Sequence, residues 1–172
     1  MNDLKKIKLL VMDVDGTMTD GKIYISDNGE AMKAFNSKDG YGLSVILPPT
    51  GIKTAIITGR TSDIVKWRAN ELGISEIYQG IKDKPAALED LLKKLGLTYE
   101  NVAYIGDDLN DLECMKLSAV SACPADSVEE VKEVADLVCK SNGGNGAVRE
   151  FINLLSFSRE KESKQRKSAS VG

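Results

Sequence analysis

The sequence predicts an α/β fold: a central parallel sheet with helices on both faces. Short β-branched and aliphatic runs alternate along the chain with helix-like segments, and repeated strand–helix units of this kind build parallel sheets. In three places the residue just after such a run is one that can do chemistry, namely Asp13, Thr58 and Asp107. Open α/β sheets bind ligands at the carboxyl ends of their strands, so these positions fit the fold.

The elements follow in order. Residues 7–12 form a short apolar run ended by Asp13-Val14-Asp15-Gly16-Thr17, which reads as a buried strand carrying two carboxylates at its tip. On a turn the two acids need not point to opposite faces, so both can address one group. Residues 22–26 and 30–35 flank Asp27-Asn28-Gly29, a hairpin signal. Residues 40–47 predict a helix stopped by Pro48-Pro49. Residues 53–57 are a buried-type strand ending at Thr58-Gly59-Arg60. Thr61 or Ser62 caps a helix to about Leu72, closed by Gly73. After a short strand at Ile77-Tyr78, Pro85 opens a helix whose Leu88, Leu91, Leu92 and Leu95 share one face before Gly96. The strand 102–105 runs into a second acidic cluster, Gly106-Asp107-Asp108-Leu109-Asn110-Asp111, and a helix over 109–115. A strand at 119–122, a helix over 127–135, a strand at Leu137-Val138 and a helix near 147–155 complete one domain, residues 1–157. The polar, serine-rich segment 158–172 is expected to be disordered.

Composition narrows the chemistry. At 172 residues, 42% hydrophobic and 28% charged, the chain supports a full core. No apolar run reaches the length of a membrane span and no basic-then-apolar leader pattern opens the sequence, so the cytoplasm and no membrane partner are expected. The three cysteines, Cys114, Cys123 and Cys139, match no zinc or redox spacing and read as buried small hydrophobes. The chain has no histidine, which excludes imidazole as base, phosphoryl acceptor or metal ligand and leaves oxygen ligands, the natural partners of Mg2+. A net charge of −3 speaks against a nucleic-acid footprint. Two acidic clusters at two strand ends are what a carboxylate-bound hard metal and a phosphoryl group would require; each alone could equally be an acidic surface turn.

Asp13-Val14-Asp15-Gly16-Thr17, Thr58-Gly59-Arg60, Lys84, and Gly106-Asp107-Asp108 with Asp111 occur in an order that resembles the haloacid dehalogenase superfamily of phosphatases. Thr19-Asp20-Gly21, Lys38-Asp39-Gly40, Tyr78-Gln79-Gly80, Asp83-Lys84 and Gly143-Gly144-Asn145-Gly146-Ala147-Val148-Arg149-Glu150 extend the likeness over about residues 5–155. Together they resemble the capless branch typified by 3-deoxy-D-manno-octulosonate 8-phosphate (KDO 8-phosphate) phosphatase. The resemblance implies a Rossmann-like three-layer fold with a β-hairpin insertion after the first strand, about residues 20–36, and no separate cap domain. It also implies Mg2+ and a homotetramer whose hairpin flaps close over neighbouring sites. An exposed hairpin bearing Ile23, Ile25 and Phe35 would be a liability in a monomer; the alternative is that it packs on its own domain.

The resemblance further implies that Asp13 is the nucleophile, forming an aspartyl-phosphate. A carboxylate and a phosphate charge about 4 Å apart repel by roughly 4 kcal/mol at an effective dielectric near 20, so a bridging cation is needed. Asp13, Asp107 and the backbone carbonyl of Asp15 would hold Mg2+, with Asp108 and Asp111 orienting the groups around them. Asp15 is the expected general acid and base, and Thr58 and Lys84 the holders of the phosphoryl oxygens. Asn36, Ser37, Lys38, Asp39, Gly40, Arg60, Arg68, Lys84 and Arg149 are expected substrate contacts, with Arg60 and Arg68 suiting a carboxylate and Arg149 resembling a tail residue that reaches toward a site. Ser44 stands where the branch tends to carry arginine. The implied activity is Mg2+-dependent hydrolysis of a 2-keto-3-deoxy sugar acid phosphate, KDO 8-phosphate first. The Ser44 departure keeps a nonulosonate 9-phosphate phosphatase open, and a non-catalytic assembly module is a further alternative. In a two-component receiver domain, built on a similar sheet, the acidic pair precedes the acceptor; here Asp13-Val14-Asp15 comes first.

Overall fold

Strand β1 (Leu9–Met12) is buried along its whole length, in a computed structural model that describes residues 4–169. A separate hairpin follows, β2 (Tyr24–Ser26) and β3 (Gly29–Met32), then helix α1 (Ser37–Tyr41). The remaining elements alternate: β4 (Lys53–Ile57), α2 (Asp63–Glu71), β5 (Glu76–Tyr78), α3 (Lys84–Leu95), β6 (Val102–Ile105), α4 (Leu112–Leu117), β7 (Val120–Cys123), α5 (Glu129–Val134), β8 (Leu137–Val138) and α6 (Ala147–Ala169).

The main sheet is parallel, in the order β5-β4-β1-β6-β7-β8. Counting only its own strands along the chain, that order is 3-2-1-4-5-6, the doubly wound Rossmann arrangement. The chain reverses its direction of travel between β1 and β6, and a crevice opens there at the strands' carboxyl ends. Met12 is level with Ile56 on one side and Ile105 on the other, so the residues after β1, β4 and β6 reach the rim together.

Alternation along the strands splits the core in two. Leu10, Met12, Ile56 and Ile105 pack with Val65 and Ala69 of α2 and with Val148, Phe151 and Ile152 of α6. Leu9, Val11, Ala55, Ile57 and Tyr104 pack with Leu88, Leu91 and Leu92 of α3, and with Cys114 and Val131. Three layers result, as the sequence predicts. The three cysteines are buried free thiols, and burial pushes Cys114 and Cys139 up to about 12. No helix among the described residues is long and apolar enough to cross a membrane.

Two segments differ most from the sequence reading. The helix expected over 40–47 begins earlier, because the Asn36 side chain caps α1 by accepting from the Lys38 N–H at 2.8 Å; it then passes into a wider π turn at Gly42–Ile46. The segment from residue 158 continues α6 as helix to Ala169, in place of the expected disorder. Its Arg, Glu, Lys and Gln residues are good helix formers, and a helix already started by its buried first turns extends without a new nucleation cost. Residues 170–172 of that segment lie outside the described residues.

Phe151 is fully buried between sheet and α6. Phe151→Ala should cost about 3–5 kcal/mol in denaturant unfolding; a loss below about 1 kcal/mol would contradict this packing.

Candidate active site

The loop after β1 is a tight turn around one carbonyl. Val14 O accepts from the N–H groups of Thr17, Met18 and Thr19 at 3.2, 2.9 and 3.0 Å. Gly16 sits at φ 95°, in the left-handed region, and a Cβ there would lie 2.0 Å from Asp107 Oδ2. The glycine therefore lets the first acidic loop close onto the second. Gly143 lets its own loop pack against the first acidic loop, since a Cβ on it would meet Gly16 O at 1.8 Å.

Asp13, Asp107 and Asp111 meet at the crevice between β1 and β6, each offering a carboxylate oxygen within 4.8 Å of the others. Lys84, from the first turn of α3, is buried among them, 2.9 Å from Asp13 Oδ1 and 2.8 Å from Asp111 Oδ1. The Tyr104 hydroxyl donates to the same Asp111 oxygen at 2.7 Å, while the Asp107 N–H donates to Asp111 Oδ2 at 3.3 Å. Asp111 is thus fully committed to protein donors. Thr17 Oγ1 donates to Asp107 Oδ1 at 2.8 Å. Asp108 is exposed and caps the turn Leu109–Asp111, accepting from the Leu109 N–H at 2.7 Å.

Burial and mutual repulsion dominate the electrostatics. Burial, then Asp111, raises Asp13 to about 6 against the opposing pull of Lys84. Burial, then Asp13, raises Asp107 to about 7. Burial works against the Lys84 ammonium, but Asp13 and Asp111 outweigh it and hold its pKa above the usual lysine value. Three carboxylates around one ammonium leave an excess of negative charge that a divalent cation would neutralise. The donors are all oxygen, so the set fits Mg2+, with Asp13 and Asp107 the carboxylates left open to it.

Asp15 lies beside this cluster and pairs with cations. Its Oδ1 contacts Lys33 Nζ, and its Oδ2 lies 3.8 Å from Arg60 Nε. Thr58, almost fully buried, follows β4 at the same rim. Lys33 and Glu30, which the sequence reading missed, come from the hairpin; no sequence signal says which hairpin residues turn toward the site. Thr17 and Tyr104 were also missed as partners, though both lie within or next to the acidic motifs.

The expected substrate contacts separate into two groups. Arg60 and Lys84 are at the site. The others gather around α1, and none has a hydrogen bond or ion pair to the aspartate cluster among the described residues. Ser37 and Lys38 are exposed there. Asp39 is placed by the sequence among substrate contacts, but it is buried and its Oδ1 accepts from the Arg149 N–H at 2.8 Å, capping α6 from another element. Burial raises its pKa. Gly40 is a packing residue, with Arg68 Nη2 only 2.5 Å from where a Cβ would stand. Arg68 lies over the Phe35 ring and pairs with Glu71. Arg149 lies over Tyr41 and donates to Asn153 Oδ1 at 3.0 Å and to Lys38 O at 3.2 Å. Ser44 donates to Gly40 O at 2.8 Å and lines a cavity of about 510 Å3 with Lys53, Gly73 and Glu76. Those partners sit at the amino ends of β4 and β5, the opposite end of the sheet from the aspartates. The Ser44 departure therefore carries no weight on substrate choice within one chain.

Residues 57–152 match the family model described as haloacid dehalogenase-like hydrolase. The chain belongs to the haloacid dehalogenase-like hydrolases. Among these relatives, the 3-deoxy-D-manno-octulosonate 8-phosphate phosphatase KdsC of Escherichia coli K12 is 46% identical over 157 residues, 91% of this chain and 83% of that protein. The crystal structure of the phosphatase of that name from Moraxella catarrhalis, in complex with magnesium, phosphate and KDO, is 43% identical. It aligns with a TM-score of 0.89 over 96% of this chain and 95% of its own. The cobalt-bound enzyme from Haemophilus influenzae is 38% identical, with a TM-score of 0.89 over 94% of each chain.

In metal-free protein Asp13 and Asp107 bind protons more readily folded than unfolded, from their ordinary 3.8 up to about 6 and 7. The native state then holds more protons over that window, so stability should fall as pH rises through it. Mg2+ binds the deprotonated carboxylates and opposes that fall. Mg2+ should therefore raise the melting temperature far more at about pH 8 than at about pH 5; an equal shift at both would refute the charge account.

Proposed function

We propose that this chain is a Mg2+-dependent phosphatase that hydrolyses KDO 8-phosphate through an aspartyl-phosphate on Asp13. The observation that carries the reading is the convergence of Asp13, Asp107 and Asp111 beside the buried Lys84. The likeness to phosphatases of that name, over more than nine-tenths of the chain, supports the substrate. Asp13, Asp107 and the Asp15 backbone carbonyl would hold Mg2+, which supplies positive charge between a phosphate dianion and the carboxylates.

The protein's own groups then account for the steps. Asp13 attacks phosphorus, and the bond from phosphorus to the sugar oxygen breaks as a bond to the Asp13 oxygen forms. Asp15 gives its proton to the departing sugar oxygen. The same carboxylate next takes a proton from water, whose oxygen attacks phosphorus, releasing inorganic phosphate and restoring Asp13. Lys84 and the Thr58 hydroxyl hold the phosphoryl oxygens whose charge grows in each transition state. Asp111 and Tyr104 keep Lys84 in place, and Asp108 holds the turn that presents Asp111. Arg60, half exposed beside Asp15, suits the carboxylate of the sugar acid. Arg68 and Arg149, each held over an aromatic ring, shape the surface around α1. The chain works in the cytoplasm on this reading.

Ile25 and Met32 of the hairpin are 75% and 52% exposed, apolar surface that a homotetramer with sites shared between subunits would cover. Native mass spectrometry should find four 18.6 kDa chains together. The double variant Ile25→Asp, Met32→Asp should fall to smaller species, and a wild-type monomer would overturn the assembly.

With Mg2+ present, the protein should release phosphate from KDO 8-phosphate faster than from a nonulosonate 9-phosphate, and Asp13→Asn should reduce release to the buffer blank. A faster rate on the nine-carbon sugar would move the assignment to that substrate. Full activity in Asp13→Asn would remove the nucleophile.

A further inference from the structure

Lys33 presents an unusual pairing of position and burial. It directly follows β3, in a hairpin whose apolar Ile25 and Met32 face outward, 75% and 52% exposed. Its own side chain is only 1% exposed. A lysine that withdraws its ammonium from water needs compensating negative charge, and here it has two sources. One is Asp15 Oδ1; the other is Glu30 Oε1 at 3.0 Å. Glu30 is tied in turn to the body of the domain. Its Oε2 accepts from Ser62 Oγ, and its Oε1 lies 3.6 Å from Arg60 Nη2. Ser62 caps α2 by accepting from the Val65 N–H, and its own N–H donates to Gln79 Oε1 at 2.7 Å. A continuous polar chain therefore runs from Gln79 through Ser62, Glu30 and Lys33 to Asp15. Two carboxylates, Asp15 and Glu30, and two cations, Lys33 and Arg60, make up its outer part.

From this geometry we infer that Lys33 is a positioning residue for Asp15, with Glu30 as its anchor. The inference rests on the reading of Asp15 as acid and base. An acid–base carboxylate has to offer one chosen oxygen to the leaving group. Lys33 occupies Oδ1 in close contact, whereas Oδ2 has only the looser Arg60 contact at 3.8 Å. Oδ2 is therefore the oxygen free to face the departing sugar oxygen. As the proton leaves Asp15, the negative charge left behind develops next to the Lys33 ammonium, where it is stabilised. The hairpin thus contributes to the chemistry of its own chain's site, beyond covering surface.

The test compares kcat/KM, which reports the steps up to phosphoryl transfer, on two esters. The KDO oxygen needs a proton to depart, whereas p-nitrophenolate leaves without one. Lys33→Met should lose about 100-fold on KDO 8-phosphate and at least about tenfold less on p-nitrophenyl phosphate. Lys33→Arg should recover most of that loss, because it keeps the charge. A merely structural lysine would lower both esters equally, and that result, or no loss on either, would overturn the inference. Asp15→Asn is measured alongside. If it too fails to separate the esters, the acid assignment of Asp15 falls. If it separates them and Lys33→Met does not, only the role of Lys33 falls. Should Lys33→Met fail to fold, Glu30→Gln should show the same ester-selective loss at smaller size, and equal losses there would overturn the inference as well.

Discussion

The constraint on which the site depends is the crowding of like charge at the switch point. Asp13, Asp107 and Asp111 bring carboxylate oxygens within 4.8 Å of one another, and one ammonium, Lys84, lies among them. At an effective dielectric near 20, each carboxylate pair at that range costs about 3–4 kcal/mol, which no isolated loop could sustain. The fold sustains it by committing Asp111 wholly to Lys84, Tyr104 and the backbone. Burial, and after it repulsion from the neighbouring carboxylates, lifts Asp13 and Asp107 to about 6 and 7. Those are the two carboxylates left to meet a cation, whose charge would offset both the burial and the repulsion.

The sheet order explains why these residues meet. In the doubly wound order the crevice falls between β1 and β6, and each of those strands ends in an acidic loop. Approach still requires the absence of side chains at the contact. Gly16 admits the Asp107 carboxylate, and Gly143 admits the carbonyl of Gly16. Gly16 thus sets the distance between the two acidic loops, and Gly143 the approach of its own loop to the first of them, which propensity alone would not identify as their purpose.

What could be read in the sequence follows the same logic. Asp13, Thr58 and Asp107 were legible because strand ends are marked by a change from apolar to polar residues, and strand ends in a parallel sheet share one rim. The cap Ser62, offered alongside Thr61, was of the same local kind, and Pro85 marked the helix that carries Lys84. The parts that escaped are those set by long-range placement. Asp39 meets the α6 amide of Arg149 across 110 positions, and Ser44 belongs to the far end of the sheet. Lys33 and Glu30 turn inward from a hairpin whose alternation says nothing about what lies beneath. The helix beyond residue 157 escaped because its low hydrophobicity, which suggests disorder, coexists with good helix propensity and a helix already nucleated upstream.

The lack of histidine ties the inner and outer halves of the site together. Where an imidazole could exchange protons near neutrality unaided, this chain must rely on a carboxylate, whose orientation and charge have to be controlled from outside. The inner cluster cannot supply that control, because its own negative charge would only repel Asp15. A separate set of groups is needed, cationic toward Asp15. Lys33, Arg60 and Glu30 form such a set, with one net positive charge, and two of the three come from the hairpin. With no cap domain among the described residues, the hairpin after β1 can carry them: its Lys33 contacts Asp15, and its Glu30 is anchored through Ser62 to the helix that follows β4.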